Sequence, residues 1–540
     1  MSVQNVEKCV TSDARGTQNL AMVMEPAMEK SRKNKFAFAC SMLASMTSIL
    51  LGYGVLTGAI LFIKNDLKLD DTKVEVLMGS IGLYSLIGSL AAGRTSDWIG
   101  RRYTIILAAM IFFVGALTMG FATNYALLMA GRLIEGIGVG YALMIAPVYT
   151  AEVSPSSSRG FLTSFSEVFE SCLGMSPISP SLAFPNHINW RLMLGGGAIP
   201  SVILAISVLT MPESPRWLVM QGRLDEAKRV LDKTSESKQE AEIRLSDIKD
   251  AAGIPQHCTD DIVPIPKRSH GEGVWKELLI RPSPSVRRIL IAAVGIQFFQ
   301  QASGVILVVL YSPSIFKKAG IKSKNGLLGA TVAVGFTKTI FILVATFLVD
   351  RFGRRPLLLT STTGMILSLL GLGTGLTIID HNSDKKLMGV IALCIMAVLT
   401  LVASFSIGLG PITWVYSSEI IPLRLRAQGM SLAVAINCVT GGVLSMTFLS
   451  LYKAISIGGT FFLFAGVSTL SWIFFYSFLP ETKGRTLEEM ETIFGKKEEE
   501  KSHGQLQVGT TATTTPINTE NDEIEEITNT TIDAASSEHG

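Results

Sequence analysis

The chain has 540 residues, of which 48% are hydrophobic and 17% carry a charge, and its mean hydropathy is +0.41. A soluble protein of this size usually carries about a quarter charged residues, so this composition argues against a soluble enzyme or binding domain. The formal net charge of +3 gives no sign of a nucleic-acid partner. The excess of apolar residues indicates a protein that lies in lipid.

Apolar blocks that are long enough to cross a bilayer recur along the chain. A helix needs about 20 residues to cross a hydrocarbon core about 30 Å thick. The block at 161–183 is the weakest, because it contains two Glu, two Pro and many Ser. We predict an all-α integral membrane protein with twelve transmembrane helices. They are placed at 36–63, 74–93, 103–123, 125–149, 161–183 and 190–211, then at 286–312, 326–349, 356–379, 387–418, 427–452 and 458–479.

Three charged motifs occur twice, in the same order. GRTSDWIGRR at 93–102 returns as VDRFGRR at 349–355, and Pro-Glu-Ser at 212–214 returns as Pro-Glu-Thr at 480–482. Between them, a Tyr, a Glu, a Pro and an Arg repeat with the same internal spacing after about 267 residues. Ordered repetition at so long a period predicts two pseudo-symmetric six-helix halves, not an array of small repeats.

Polar segments divide the chain, and its arginines orient it. The arginines of the short predicted loops lie on the side of the N-terminus, which the positive-inside rule makes cytosolic. An even number of helices places both termini on that side, although lysines in the predicted external loops blur the signal. The predicted regions are a cytosolic tail at 1–35, a six-helix half at 36–211, a cytosolic linker with amphipathic helices at 212–285, a second half at 286–479, and a mostly disordered cytosolic tail at 480–540.

A set of ordered motifs resembles one family of transporters. Over roughly residues 36 to 495 the chain resembles the sugar porter family of the major facilitator superfamily. Its motifs are most similar to those of plant polyol and monosaccharide transporters. The resemblance implies the major facilitator fold and alternating access to a midplane site, with proton-coupled symport. The motifs are DWIGRR, GRLIEGIGVG (131–140), PESPRWL (212–218), QQASG (300–304), YSPSIF (311–316), GPITWVYSSEIIPLRLRAQG (410–429) and PETKGRTLEE (480–489).

Polar side chains inside the predicted helices are candidate substrate groups, because they are costly to place in lipid. Gln300 and Gln301 supply amide donors and acceptors that suit the hydroxyls of a sugar or polyol. Trp414 offers a flat apolar face and one N–H donor. Lys338 lies about midway along its block, where the alternative is a snorkelling side chain. For Gln300 and Gln301 the alternative is helix–helix packing, and for Trp414 it is a tryptophan at the membrane interface.

The resemblance adds further assignments. It carries the two glutamines to the central cavity, Asn437 to a polar position of the eleventh helix and Tyr311 to a gate in the seventh. For Asn437 and Tyr311, plain packing is an open alternative. We expect a monomeric transport unit without a cofactor, with a small sugar or polyol and the lipid bilayer as partners and the plasma membrane as location.

Proton coupling is an open question in this chain. Symporters of the family pair a first-helix Asp with a fourth-helix Arg, which matches Arg132, but the first helix reads LLGYGVLTGA and lacks the acid. Glu135 lies three residues on and can neutralise Arg132 from the same helical face. Glu167 and Glu170 on the fifth helix are alternative coupling groups. Symport, an uncoupled facilitator and a transport-impaired paralogue all stay open.

The repeated charges are predicted to form a cytosolic latch that closes one face of the protein. We expect Glu152 to pair with Arg159, Glu419 with Arg426, and the two Asp residues with nearby Arg. Ordinary positive-inside charges with helix-capping Asp are the alternative. The candidate latch residues are Asp97, Arg101, Arg102, Glu152, Arg159, Glu213, Asp350, Arg354, Arg355, Glu419, Arg426 and Glu481.

Other classes of function have less support in the sequence. No nucleophile–base pair or metal-ligand cluster stands out among the residues, so we expect no enzyme and no metal, with protons as the one candidate coupling ion. A channel would need a ring of repeated pore charges, and a membrane sugar sensor would usually carry a large folded tail. Neither feature is present in the sequence.

Overall fold

The computed structural model describes residues 35–54, 63–64, 66–174, 186–255, 274–318, 324–381, 388–490 and 494. Within these ranges, eleven helical segments are long and apolar enough to cross a membrane. The protein is therefore an all-α membrane protein, as the sequence predicted. The terminal tails and part of the first-helix motif, residues 55–62, lie outside the described residues.

We number the membrane helices as spans 1 to 12 in chain order. Spans 1 to 6 are Lys35–Ser45 with Ser48–Gly54, Asp71–Ile99, Arg101–Gly120, Tyr125–Val153, Arg159–Gly174, and Asn186–Gly195 with Ala198–Val208. Spans 7 to 12 are Pro284–Ala302 with Val305–Leu310 and Ser312–Lys318, Lys324–Phe352, Arg354–His381, Met388–Ile407 with Leu409–Ile420, Arg426–Ile455, and Ile457–Phe478. Span 5, the weakest in the sequence, is helical over 16 residues.

The charged repeat motifs are helical almost throughout, whereas the sequence suggested loops. Span 2 continues to Ile99 and span 3 begins at Arg101, so Gly100 alone separates them, with φ +95°. Gly353 separates spans 8 and 9 in the same way, with φ +98°. A Cβ on Gly100 would lie 2.4 Å from Glu213 Oε2, so glycine is needed both for the conformation and for the close approach.

In the part of the linker that the structure describes, three short α-helices, Pro215–Met220, Leu224–Thr234 and Lys238–Ala252, come before a π-helical turn, Lys276–Ile280. Their apolar residues form a small cluster of their own, which includes Leu423 from the second half. Trp217 Nε1 donates to the carbonyl oxygen of Asp97 at 3.0 Å. The linker helices therefore pack against the ends of the spans that carry the repeated charges.

Within the described residues, two pairs of spans make the most extensive contacts between the halves. Span 2 packs against span 11, where a Cβ on Gly82 would lie 2.8 Å from Gly442 Cα. Small residues allow such close approach of helices in lipid. Span 5 packs against span 8, where the rings of Phe161 and Phe347 lie 5.4 Å apart. Polar side chains between these two contacts form the candidate site.

Candidate functional site

A cluster of amides connects spans 7 and 11. Gln297, Gln300 and Gln301 lie three and four residues apart, so they share one face of span 7. Asn437 on span 11 donates from Nδ2 to Gln300 Oε1 at 2.8 Å and to the Gln297 carbonyl oxygen at 3.1 Å. It accepts at Oδ1 from Gln301 Nε2 at 2.9 Å. Asn437 is thus the centre of the cluster and contacts both predicted glutamines. Its contact with substrate stays a prediction.

The two predicted glutamines differ in how much hydrogen-bonding capacity they keep. Gln300 is buried, and its Nε2 donates to the Gly410 carbonyl oxygen at 3.0 Å, beside the break in span 10. Gln301 is half-buried, and its Oε1 accepts no hydrogen bond from the described residues. Gln301 therefore retains an acceptor for a ligand hydroxyl, whereas Gln300 mainly holds the backbone of span 10.

Gln297 was missed by the sequence reasoning, although its spacing from Gln300 and Gln301 was a usable signal. Its Nε2 donates to Ser417 Oγ at 3.3 Å, and its Oε1 is buried without a partner among the described residues. An unsatisfied buried amide oxygen is costly. Gln297 is thus a second acceptor near the cluster.

A second polar cluster connects spans 5, 8 and 10. Trp414 Nε1 donates to Glu167 Oε1 at 3.0 Å. Lys338 Nζ lies 3.3 Å from Glu170 Oε1 and 4.0 Å from Glu167 Oε2. Lys338 was expected to face a sugar, but its ammonium is held by these carboxylates, because an isolated charge is costly at this depth.

The predicted gate residue and the predicted coupling pair are both buried. Tyr311 stacks on Phe448 at 4.7 Å between ring centroids, and its hydroxyl lacks a partner among the described residues. Arg132 Nη1 lies 2.7 Å from Glu135 Oε2, with side chains 1% and 2% exposed. The expected contact between Arg132 and Glu135 is confirmed, and their part in proton coupling stays a prediction.

The repeated motifs form matching ion pairs at one end of each half. Arg101 donates to Glu152 from Nε at 3.0 Å and from Nη2 at 3.2 Å. Arg354 donates to Glu419 from Nη2 at 2.8 Å and from Nε at 3.3 Å. All four side chains are buried. Bidentate pairs of this kind are strong and directional, so each glutamate is already neutralised within its own half.

The Pro-Glu motifs cap the helices that follow the glycine breaks. Glu213 Oε1 accepts from the backbone N–H of Arg101 at 2.8 Å and of Arg102 at 3.2 Å. Glu481 Oε1 accepts from the backbone N–H of Arg354 at 2.9 Å. A carboxylate at a helix N-terminus satisfies free N–H groups and the helix dipole. Burial is the main influence on Glu213 and raises the pKa of its carboxyl group.

Two further predicted latch arginines, like Arg101 and Arg354, make their side-chain contacts within one half. Arg102 Nη2 donates to the carbonyl oxygen of Leu209, and Arg355 Nη2 donates to that of Tyr476 at 2.7 Å. Each contact lies within one half. The expectation that Arg102 and Arg355 belong to a latch between halves is therefore wrong, because both reach free carbonyls at the end of a neighbouring helix.

The expected pairs of Glu152 with Arg159 and of Glu419 with Arg426 are also wrong. The carboxylate nearest to Arg426 is Glu152 of the other half, at 3.8 Å. Arg159 Nη1 donates to the Arg485 carbonyl oxygen at 3.4 Å, and Glu419 is its largest stabilising charge. The physical reason is that the carboxylates of Glu152 and Glu419 already accept hydrogen bonds from an arginine of their own half. The arginines that begin spans 5 and 11 therefore turn toward the opposite half.

Further hydrogen bonds cross between the halves at the same end. Asp350 accepts from the backbone N–H of Gly160 at 3.2 Å and of Phe161 at 2.7 Å, which caps span 5 from span 8. Gln428 Nε2 donates to Asp97 Oδ2 at 3.2 Å, from span 11 to span 2. Together with Arg426 these contacts hold the two halves together at this face.

The segment after span 12 adds an ion pair that sequence reasoning missed. Arg216 of the linker donates from Nε to Glu488 Oε1 at 2.9 Å and from Nη1 to the Glu152 carbonyl oxygen at 2.7 Å. Burial opposes ionisation of Glu488, but the charge of Arg216 outweighs it and lowers the pKa of Glu488 to about 2. The pair is therefore fully charged at neutral pH.

Comparison with known proteins identifies the fold. The family model described as "Sugar (and other) transporter" matches residues 31–494. The chain belongs to the sugar porter family of the major facilitator superfamily. Members of this family are membrane transporters, so the chain is a multi-pass membrane transporter and not an enzyme. The family match spans both halves and the linker between them.

Three individual proteins illustrate the similarity. Polyol transporter 5 of Arabidopsis thaliana is 66% identical over 469 residues, which is 86% of this chain and 87% of that protein. The glucose transporter GlcP of Staphylococcus epidermidis is 34% identical over 451 residues, 83% of this chain and 95% of that protein. The proton:xylose symporter XylE of E. coli, bound to 6-bromo-6-deoxy-D-glucose, has TM-score 0.72 and 26% identity, covering 86% of this chain and all of that one.

Proposed function

We propose that this sugar porter moves polyols and monosaccharides across the membrane by alternating access. The observation that carries the proposal is a set of contacts between the halves at one face, with the polar cluster of Glu167, Glu170, Lys338 and Trp414 deeper between the same halves. A carrier needs such a closed face, and rocking of the halves would have to break these few polar contacts.

The substrate class is supported by the polar groups and by the relatives. Gln301 and Gln297 keep amide oxygens that accept no hydrogen bond from the described residues, and Trp414 on span 10 provides an aromatic surface. Such groups suit a small polyhydroxylated molecule. The names of the relatives mention polyol, glucose and xylose. A membrane sugar sensor would bind the same molecules without moving them.

We also infer proton-coupled symport, supported by the similarity to the proton:xylose symporter XylE and by buried carboxylates between the halves. The rival is an uncoupled facilitator or a transport-impaired paralogue. It is favoured by the pair of Arg132 with Glu135, since two charges on one helix move together. The protein is proposed to act as a monomeric unit in the plasma membrane with both termini cytosolic.

Uptake by purified protein in liposomes tests the proposal. A panel of radiolabelled polyols and monosaccharides would be offered at two external pH values. We expect saturable uptake of at least one of them, with accumulation above equilibrium at acidic external pH. Binding without any uptake or counterflow would favour the sensor. Uptake that equilibrates independently of pH would favour the facilitator.

A further inference from the structure

The cluster of Glu167, Glu170 and Lys338 lies deep in the membrane and bridges the halves. At about 1.5 Å per residue, Glu170 lies about 15 Å along span 5 from Gly160, and Lys338 lies about 18 Å along span 8 from Asp350. Because Gly160 and Asp350 meet at the closed face and the hydrocarbon core is about 30 Å thick, the cluster lies near the midplane.

The charges of this cluster do not balance. Two carboxylates face a single ammonium, so one negative charge is in excess when all three groups are ionised. The described groups that face it from spans 1 and 10 are neutral, namely Ser45, which hydrogen-bonds Ser166, and Trp414. An uncompensated charge at this depth is costly, and binding one proton removes it.

The pair of Arg132 with Glu135 differs from this cluster in its charge balance and in its position, because it does not bridge the halves. It is balanced, with one charge of each sign, and both residues are on span 4. A pair on one helix does not separate when the halves move. The cluster around Lys338 does separate, because Glu167 and Glu170 are on span 5 and Lys338 is on span 8.

We propose that Glu170 and Glu167, with Lys338, form the proton-binding centre of this transporter in place of the missing first-helix Asp. A proton adds to a carboxylate oxygen to give a carboxylic acid, no other bond changes, and the same proton leaves when the site faces the cytosol. Glu170 is the first acceptor, because it is 22% exposed while Glu167 is 6% exposed and already accepts from Trp414. Through Trp414 the centre touches the substrate region. This inference rests on the proposed transport function.

The test separates proton coupling from substrate movement. Full-length protein in liposomes would be given radiolabelled sorbitol and xylose in two assays, accumulation driven by an imposed pH gradient and counterflow without a gradient. Wild type is expected to accumulate label and to exchange it. Glu170→Gln is expected to exchange at a rate within about threefold of wild type but to lose accumulation, since the carboxylate that takes up the proton is absent. Glu226→Gln, on an exposed linker pair, is the matched control and should retain both.

Two further variants keep the proposal falsifiable if Glu170→Gln does not fold. Lys338→Gln removes the ammonium and should shift the pH profile of uptake to higher pH, because the remaining carboxylates hold a proton more tightly. Trp414→Phe keeps the ring, removes the donor to Glu167, and should shift the profile in the same direction. Unchanged pH profiles in both variants would overturn the proposal.

Other outcomes also distinguish the two proposals. Gradient-driven accumulation that survives both Glu167→Gln and Glu170→Gln would overturn the proton-binding centre while leaving transport intact. Loss of accumulation confined to Glu135→Gln would overturn it as well and place the proton on span 4. Wild-type counterflow without accumulation would contradict the centre but support a facilitator. Absence of counterflow for the whole substrate panel would instead contradict the transport function itself.

Discussion

Three glutamines on one face of span 7 differ in what they hold. Gln300 supports the backbone beside the break in span 10, and Asn437 connects all three. Gln301 and Gln297 each keep an amide oxygen that accepts nothing from the described residues. Identical side chains thus have different roles because they have different hydrogen-bond partners, and the sequence alone does not show which residues are partners.

Gln301→Ala should weaken the apparent affinity for substrate about tenfold to a hundredfold, because losing an amide contact in a buried site costs about 1–3 kcal/mol. Uptake kinetics at matched protein amounts would measure it. Gln300→Ala is the comparison, and it should also lower the thermal stability of the purified protein, since the Gly410 carbonyl loses its donor. An unchanged apparent affinity in Gln301→Ala would remove Gln301 from the site.

For individual residues, the sequence identified candidate functional side chains more successfully than it identified the residues they contact. Gln300, Gln301 and Trp414 were found because polar groups are rare inside apolar helices, and Asn437 was found through the family resemblance. The partner of Lys338 could not be found, because it lies on a helix about 168 residues away along the chain. Only packing of the two halves brings such residues together.

The ends of the spans at the arginine-rich face carry contacts of two kinds. Ion pairs within a half, such as Arg101 with Glu152, keep span 3 on span 4 and need not break during rocking. Contacts between halves, such as Arg426 with Glu152 and Asp350 with the start of span 5, must break. The sequence predicted the residues but paired neighbours along the loop, whereas the neighbours in space are on another helix.

Arg426→Gln should therefore shift the population toward the inward-facing state, with exposed Arg223→Gln on the linker as control. The ion pair needs to contribute only a few kcal/mol for the shift to be measurable. A cysteine in place of the buried Ser431, which packs on Gly93, would report it by faster labelling from the cytosolic side. Equal labelling rates in Arg426→Gln and its control would contradict this latch.

The close contact of spans 2 and 11 gives a second prediction for an element. Gly82→Ala places a methyl group 2.8 to 2.9 Å from backbone atoms of Gly442 and from the Cys438 carbonyl oxygen. Since backbone cannot move aside as a side chain can, we expect a loss of about 1–3 kcal/mol and a lower Tm. Gly466→Ala on span 12, with nothing within 4 Å, is the control and should leave Tm unchanged. Equal Tm values for the two variants would refute the contact.

At the scale of the whole molecule, the internal repeat predicted the two halves, and the structure repeats their contacts nearly atom for atom. Tyr149 donates to the Pro212 carbonyl oxygen at 2.8 Å, and Tyr416 to that of Pro480 at 3.1 Å. The midplane cluster has no such counterpart in the described residues, since Lys338 and its two carboxylates occur once. The symmetric part of the fold could be predicted because its motifs are repeated in the sequence. The asymmetric part could not be predicted, because it has no repeat.

The orientation of the molecule in the membrane is the remaining expectation. The structure places the linker, the start of span 1 and the end of span 12 on one face, so the orientation depends only on which side of the membrane that face lies. The linker and the segment after span 12 meet through Arg216 and Glu488, so the chain leaves span 12 on the face that carries the linker. Span 1 begins on this face too, since Ser41 contacts Ser154 at the end of span 4. The arginine-rich motifs lie there, so the positive-inside rule predicts that this face is cytosolic.

An epitope tag at the C-terminus should therefore be reached by antibody only after permeabilisation of expressing cells, and Asn529, in the sequon Asn529-Thr530-Thr531 outside the described residues, should stay free of glycan. The same tag inserted at 382–387, between spans 9 and 10, is the control and should be reached on intact cells. Antibody binding to the C-terminal tag on intact cells, or a mobility shift on deglycosylation that disappears in Asn529→Gln, would reverse the orientation. A reversed orientation would move the closed face to the outside, because its contacts are fixed to the arginine-rich ends of the spans.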